Sequence, residues 1–152
     1  MSGSYHDFVL LTDLGDRHVQ YAQHIVDPGA VRVADELLMY LHDSLLWVPT
    51  ENPSIAELPP GHGLNYYGPT SISGEGAAML ADILHHWAAL FACGPEILIL
   101  TGGCSMIEGD PTSFERAKHR ISRDTAVKAL RAVAAMARQA AEPGFWLLHV
   151  GV

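Results

Sequence analysis

Two apolar runs of strand length constrain this chain most. Glu96-Ile97-Leu98-Ile99-Leu100-Thr101 lies between Pro95 and Gly102-Gly103, and Phe145-Trp146-Leu147-Leu148-His149-Val150 follows Gly144. Each is too short for a stable helix and rich in the residues that suit a buried, pleated surface. Elsewhere apolar residues recur with helical spacing. Strands that alternate with helices must bury a sheet face against helix faces. The expected fold class is therefore α+β: a two-layer α/β sandwich, a small sheet of about four strands packed against three helices. With 152 residues, 49% of them apolar, one domain spanning 1–152 has enough material for its own core.

The remaining elements follow from local signals. Residues 7–12 read as a short strand ahead of the Asp13-Leu14-Gly15-Asp16 turn, and 17–26 fit either strand or helix. Asp27-Pro28 is a helix-opening pair, and Val31, Ala34, Leu38, Leu41 and Leu45 continue as one helix face ending near Trp47. Residues 49–63 hold four prolines and two glycines and read as a loop. Leu64-Asn65-Tyr66-Tyr67 follows as a strand, broken by Gly68-Pro69. Ser73 caps a helix over about 76–92 that is apolar on nearly every face, the expected central element, and Gly94-Pro95 stops it. A loop over 102–112 leads to a helical region, 113–142, within which Ser122 can cap a restart.

Charge is unevenly distributed. Residues 1–110 carry two basic residues against fourteen acids, a net −12, whereas 111–152 carry seven against three, a net +4. All seven of those cations lie between Arg116 and Arg138, on what periodicity reads as a solvated helix face. An overall −8 argues against a chain that grips a phosphate backbone, so no direct nucleic-acid binding is expected. A surface with almost no lysine suits a basic partner whose approach it steers.

The N-terminus shows no basic, apolar and small-residue sequence of a secretory signal, and Asp82, His85 and His86 interrupt the longest apolar stretch, Ala77–Cys93. A cytoplasmic protein without membrane contact is expected. Cys93 and Cys104 read as reduced thiols, with a disulfide or a catalytic cysteine as the alternatives. Nine histidines include no HxxxH or HExxH; His62, His86 and His149 would bind a metal only if the fold brought them together, so neither metal nor other cofactor is expected. Gly102-Gly103-Cys104-Ser105 follows a strand as a phosphate loop would, but it lacks both GxGxxG and GKS/T, and a strand-to-loop turn is the simpler reading. Tyr66, Tyr67 and Trp47 flank the proline-rich loop; such residues either plug a core or anchor an interface.

Ser44-Leu45-Leu46-Trp47-Val48-Pro49, Gly63-Leu64-Asn65-Tyr66-Tyr67-Gly68-Pro69-Thr70, Trp87 with Pro95-Glu96, and Leu148-His149-Val150-Gly151-Val152 resemble a family of small bacterial cytosolic proteins, the immunity proteins of polymorphic or contact-dependent toxin systems. The resemblance covers residues 28–152 and rests on aromatic and glycine patterns, so it carries over no catalytic residue. It implies a non-enzymatic protein that binds a cognate toxin effector domain, a basic one by charge complementarity, and blocks its active site. The expected binding surface is Asp35, Glu36, Asp43, Glu51 and Glu57, anchored by Trp47 with Tyr66 and Tyr67. The competing reading is a small enzyme or ligand-binding domain with a pocket beneath 49–63, lined by Tyr66, Tyr67, His62 and Cys104. A homo-oligomeric module that uses Ala77–Cys93 is a third.

Overall fold

The computed structural model of the chain describes residues 4–12, 28–51 and 61–152. Strands β1 (Tyr5–Leu11), β2 (Val31–Ala34), β5 (Pro69–Ile72) and β8 (Trp146–Val150) form one antiparallel sheet in the order β2-β1-β8-β5. Short strands β3 (Pro49–Thr50) and β4 (Gly61–His62) pair with each other, as do the long β6 (Ile97–Ile107) and β7 (Asp110–Ser122). Three helices are described: α1 (Asp35–Leu45), α2 (Gly74–Ala92) and α3 (Arg123–Ala140). The fold is the expected α+β class, a four-stranded sheet against three helices. No helix among the described residues is long and apolar enough to cross a membrane.

The core lies between the sheet and the helices. α3 buries Ala126, Val127, Leu130, Val133, Ala134, Ala137 and Ala140 and lies across β2, β1 and β8. α2 packs along α3 through Ala77, Leu80, Ala81, Leu84, Ala88 and Phe91. The alanines let the two helices approach closely while the leucines fill the gaps. α2 is thus buried on one face only; Leu90 and Met79 on its other sides reach solvent.

Three boundaries differ from the sequence expectation. The helix expected from Pro28 begins at Asp35, because Val31–Ala34 pairs with β1 in the register Tyr5↔Ala34 to Phe8↔Val31. Two β-branched valines in alternation satisfy a pleated edge better than a helix, and only the Leu38, Leu41, Leu45 part of the stripe is helical. Leu64–Tyr67 is not a strand: Tyr66-Tyr67 form a turn, and the strand starts at Pro69, where a break was expected. The ends of the 49–63 loop are also paired, Pro49 with His62 and Thr50 with Gly61.

The largest correction concerns 102–122. Gly102-Gly103 are not a turn but sit at a bulge inside β6, between Thr101 and Cys104, and the chain reverses at Glu108-Gly109. Residues 110–122 are a strand, so the helix starts at Arg123, with Ser122 as its N-cap accepting from the Thr125 amide. Glu115 to Arg120 are good helix formers, but ladder pairing with β6 overrides that preference. Ser73 occupies the N-cap of α2 without a side-chain capping bond.

One close contact fixes α2 against β3. A Cβ on Gly76 would run into the carbonyl oxygen of Pro49. In a free helix, Gly→Ala stabilises by up to about 1 kcal/mol. Here Gly76→Ala is expected to destabilise by roughly 1–3 kcal/mol, because backbone must move to make room. Thermal or urea denaturation of the variant reads the sign directly.

Candidate functional site

The register places three polar side chains on the helix-facing side of the sheet. Phe8 pairs with His149, which pairs with Thr70, and His6 lies two residues from Phe8 on the same face. His6, His149 and Thr70 are all buried. His6 Nδ1 lies 2.8 Å from His149 Nε2, and His149 Nδ1 lies 3.4 Å from Thr70 Oγ1. The other end of the chain reaches α1: His6 Nε2 is 3.1 Å from Asp35 Oδ1, which also accepts from the Tyr66 hydroxyl.

These bonds run in one direction. The Asp35 carboxylate is an acceptor only, so His6 donates through Nε2, and in the neutral tautomer it accepts at Nδ1. His149 then donates through Nε2 and accepts at Nδ1 from the Thr70 hydroxyl, whose oxygen accepts from the Asn65 amide. In that arrangement every donor points toward Asp35. Burial first, and then the neighbouring Asp35, raise the Tyr66 hydroxyl well above its ordinary range. A second contact fixes the Tyr66 turn: Gly151 and Val152 donate to the carbonyls of Gly68 and Tyr66, each at 3.0 Å.

The polar chain has almost no room beside it. A slot of about 10 Å³ lies against His6, His42, Leu46 and Tyr66. That volume admits at most one water. The nitrogens of His6 and His149 face each other rather than a shared point, and no cluster of three metal-ligating side chains occurs among the described residues. The network joins five segments of the fold: β1, β8, β5, the turn before β5, and the start of α1.

Burial, then the neighbouring His6, hold His149 down at about 3. The unfolded chain takes up a proton near pH ~6.5 that the folded chain refuses, so stability is full above that pH and falls as the pH drops toward 3. The loss attributable to His149 is about 2 kcal/mol by pH 5. His149→Gln is expected to remove that part of the pH dependence; urea unfolding at pH 7.5 and pH 5 checks it.

A different feature occupies the C-terminal end of α1. Trp47, Trp87, Ile83, Leu90, His86 and Ser44 surround an open, mostly apolar hollow of about 360 Å³. Trp47 is 66% exposed and Leu90 61%. The floor is fixed by a relay in which Trp87 Nε1 donates to Ser44 Oγ at 3.0 Å and Ser44 Oγ donates to the Leu41 carbonyl at 2.8 Å. Tyr40 and Phe91 continue the aromatic surface beside Trp87. Among the described residues neither Lys nor Arg lines the hollow.

The structure distributes the sequence-selected residues over several places. Trp47 stands on the rim of the hollow, and exposed Asp43 is adjacent in sequence to Ser44 of its floor. Asp35 and Tyr66 instead belong to the buried polar chain, and Tyr66 is half-buried. Glu36 lines a separate groove with Lys118 and Arg120. Glu51 is exposed and bridges β5, its amide donating to the Ser71 carbonyl at 2.8 Å. Tyr67 is 83% exposed and meets the Tyr66 ring edge to face. Glu57 lies outside the described residues. Of the residues assigned to the alternative pocket, His62 and Cys104 are exposed in two different sheets, β4 and β6. His62, His86 and His149 do not converge: the first two are exposed on β4 and α2, and the third is buried in β8.

Sequence reasoning missed the polar chain and most of the hollow. Its one visible signal was His149, the single polar residue in an otherwise wholly apolar strand, since a buried imidazole requires a partner.

The fold and these two features define an α+β domain with a largely buried polar network inside and an aromatic hollow outside. No protein-family model, curated protein or solved structure matches the chain.

Proposed function

We propose that this chain is a non-enzymatic binding protein of the immunity type, which docks a basic effector domain on the hollow at the end of α1 and blocks its active site. The observation that carries this reading is the exposure of Trp47 and Leu90 around a rigid aromatic floor. Exposed aromatic and aliphatic side chains clustered over a preformed hollow have the composition of an interface centre. The acidic balance of residues 1–110 supports a basic partner, and exposed Asp43 is the sequence neighbour of Ser44 in the floor of the hollow. The imidazoles of the polar chain are sealed from solvent, which favours a structural role for them over turnover of a substrate.

Charge reversal at Asp43 tests the electrostatic part. Asp43→Lys is expected to slow association with the partner about tenfold at low salt and much less at high salt, as steering interactions do. Stopped-flow or surface-plasmon kinetics at two ionic strengths measures it. An association rate unchanged at low salt would remove Asp43 from the interface.

A further inference from the structure

The β6–β7 hairpin carries an exposed face that the docking hollow does not use. Its register places Ile99 opposite Arg120, Thr101 opposite Lys118, Cys104 opposite Arg116 and Met106 opposite Phe114, all on one side. Phe114 and Met106 are each 63% exposed. The three cations occur at alternate positions of β7, so they stand in a row about 6.8 Å apart. Among the described residues no carboxylate pairs with any of them; Lys118 bonds only the Thr101 hydroxyl, at 3.0 Å. The hairpin's own acids lie elsewhere: Glu115 faces the opposite side, Glu108 is in the turn, and Asp110 beside it is engaged by Thr112 and Ser113. Three unpaired cations in a row are unexpected in a chain with a net charge of −8.

A groove of about 540 Å³ runs along the same strand. Five successive residues, Lys118 to Ser122, form one wall, and Tyr5, Ala34 and Glu36 belong to the other. A wall made of consecutive strand residues follows the backbone edge, and β7 pairs only with β6 among the described residues. An open strand edge accepts an added strand through its free amides and carbonyls.

We infer that β7 is a second docking site, which takes an extended acidic peptide segment of a partner protein as an added strand. Carboxylates at every second position of such a segment repeat at the same spacing as Arg116, Lys118 and Arg120. The intervening side chains fall on the side of Ala117, His119 and Ile121, where Glu36 on the far wall disfavours further carboxylates. A single-stranded nucleic acid matches the face less well, because Phe114 is its one aromatic residue and bases need stacking platforms. This site is independent of the Trp47 hollow.

The test uses the full chain and a fluorescent (Val-Glu)₄ peptide, with (Val-Gln)₄, oligo-dT and phosphatidylserine vesicles as the comparison probes. The peptide should bind, weaken as salt rises, and lose at least tenfold in affinity with the exposed triple variant Arg116→Glu, Lys118→Glu, Arg120→Glu. The contrast between (Val-Glu)₄ and (Val-Gln)₄ is read on the unmodified chain, so it does not depend on the folding of the variant. Equal binding of (Val-Gln)₄, tighter binding of oligo-dT or vesicles, or an unaffected triple variant would each overturn the proposal.

Discussion

Asp35→Ala is expected to destabilise the protein by about 3–5 kcal/mol, the cost of removing one member of a buried charge-assisted network. The variant removes the acceptor on which the whole chain converges. His6 keeps a buried Nε2–H with nothing to accept it, and the Tyr66 hydroxyl loses its partner as well. Each unsatisfied donor costs about 1–3 kcal/mol. Tyr66→Phe should cost less, about 1–2 kcal/mol, because Asp35 still accepts from His6. Urea unfolding of both variants, under conditions where the slope of the transition is unchanged, gives the ranking. Asp35 and Ser44 lie near opposite ends of α1, about 14 Å apart along the helix axis. Partner affinity of folded Asp35→Ala should therefore change far less than its stability.

Trp47→Ala is expected to weaken partner binding by a hundredfold or more, about 3 kcal/mol, with little change in unfolding temperature. Its indole is mostly in solvent in the free protein, so folding loses little when it is removed. In a complex the same ring would be desolvated against Trp87, Leu90 and Ile83, where aromatic anchors contribute most. Calorimetric titration together with a thermal melt separates the two effects. Equal losses of affinity and stability would make Trp47 a folding residue.

The elements legible in the sequence were those for which local signals and tertiary packing agree. Ser122 marked a real N-cap, Gly144 takes a positive φ in the turn between α3 and β8, and the two apolar runs became the β8 strand and the start of β6. Where the signals disagreed, pairing decided. Val31 and Ala34 continue the helical spacing of the stripe, and only pairing with β1 makes 31–34 a strand. The cation-rich segment 113–122 has helix-forming composition, but its partner strand lies across a turn that no glycine motif separates from Gly102-Gly103. The site was less legible than the fold. His6 and His149 are 143 residues apart and meet only because β1 and β8 are neighbours in the sheet. Trp47 and Trp87 stood out as aromatics, but their joint hollow requires α1 and α2 to be placed side by side.

The most direct measurement is a pull-down from the source organism's lysate with the tagged wild-type chain beside Trp47→Ala and Asp43→Lys, at low and moderate salt, read by mass spectrometry. A stoichiometric partner with a basic domain, retained by the wild type and lost or weakened in both variants, is the expected result. No partner at either salt, or one held equally by all three proteins, would contradict docking at the hollow.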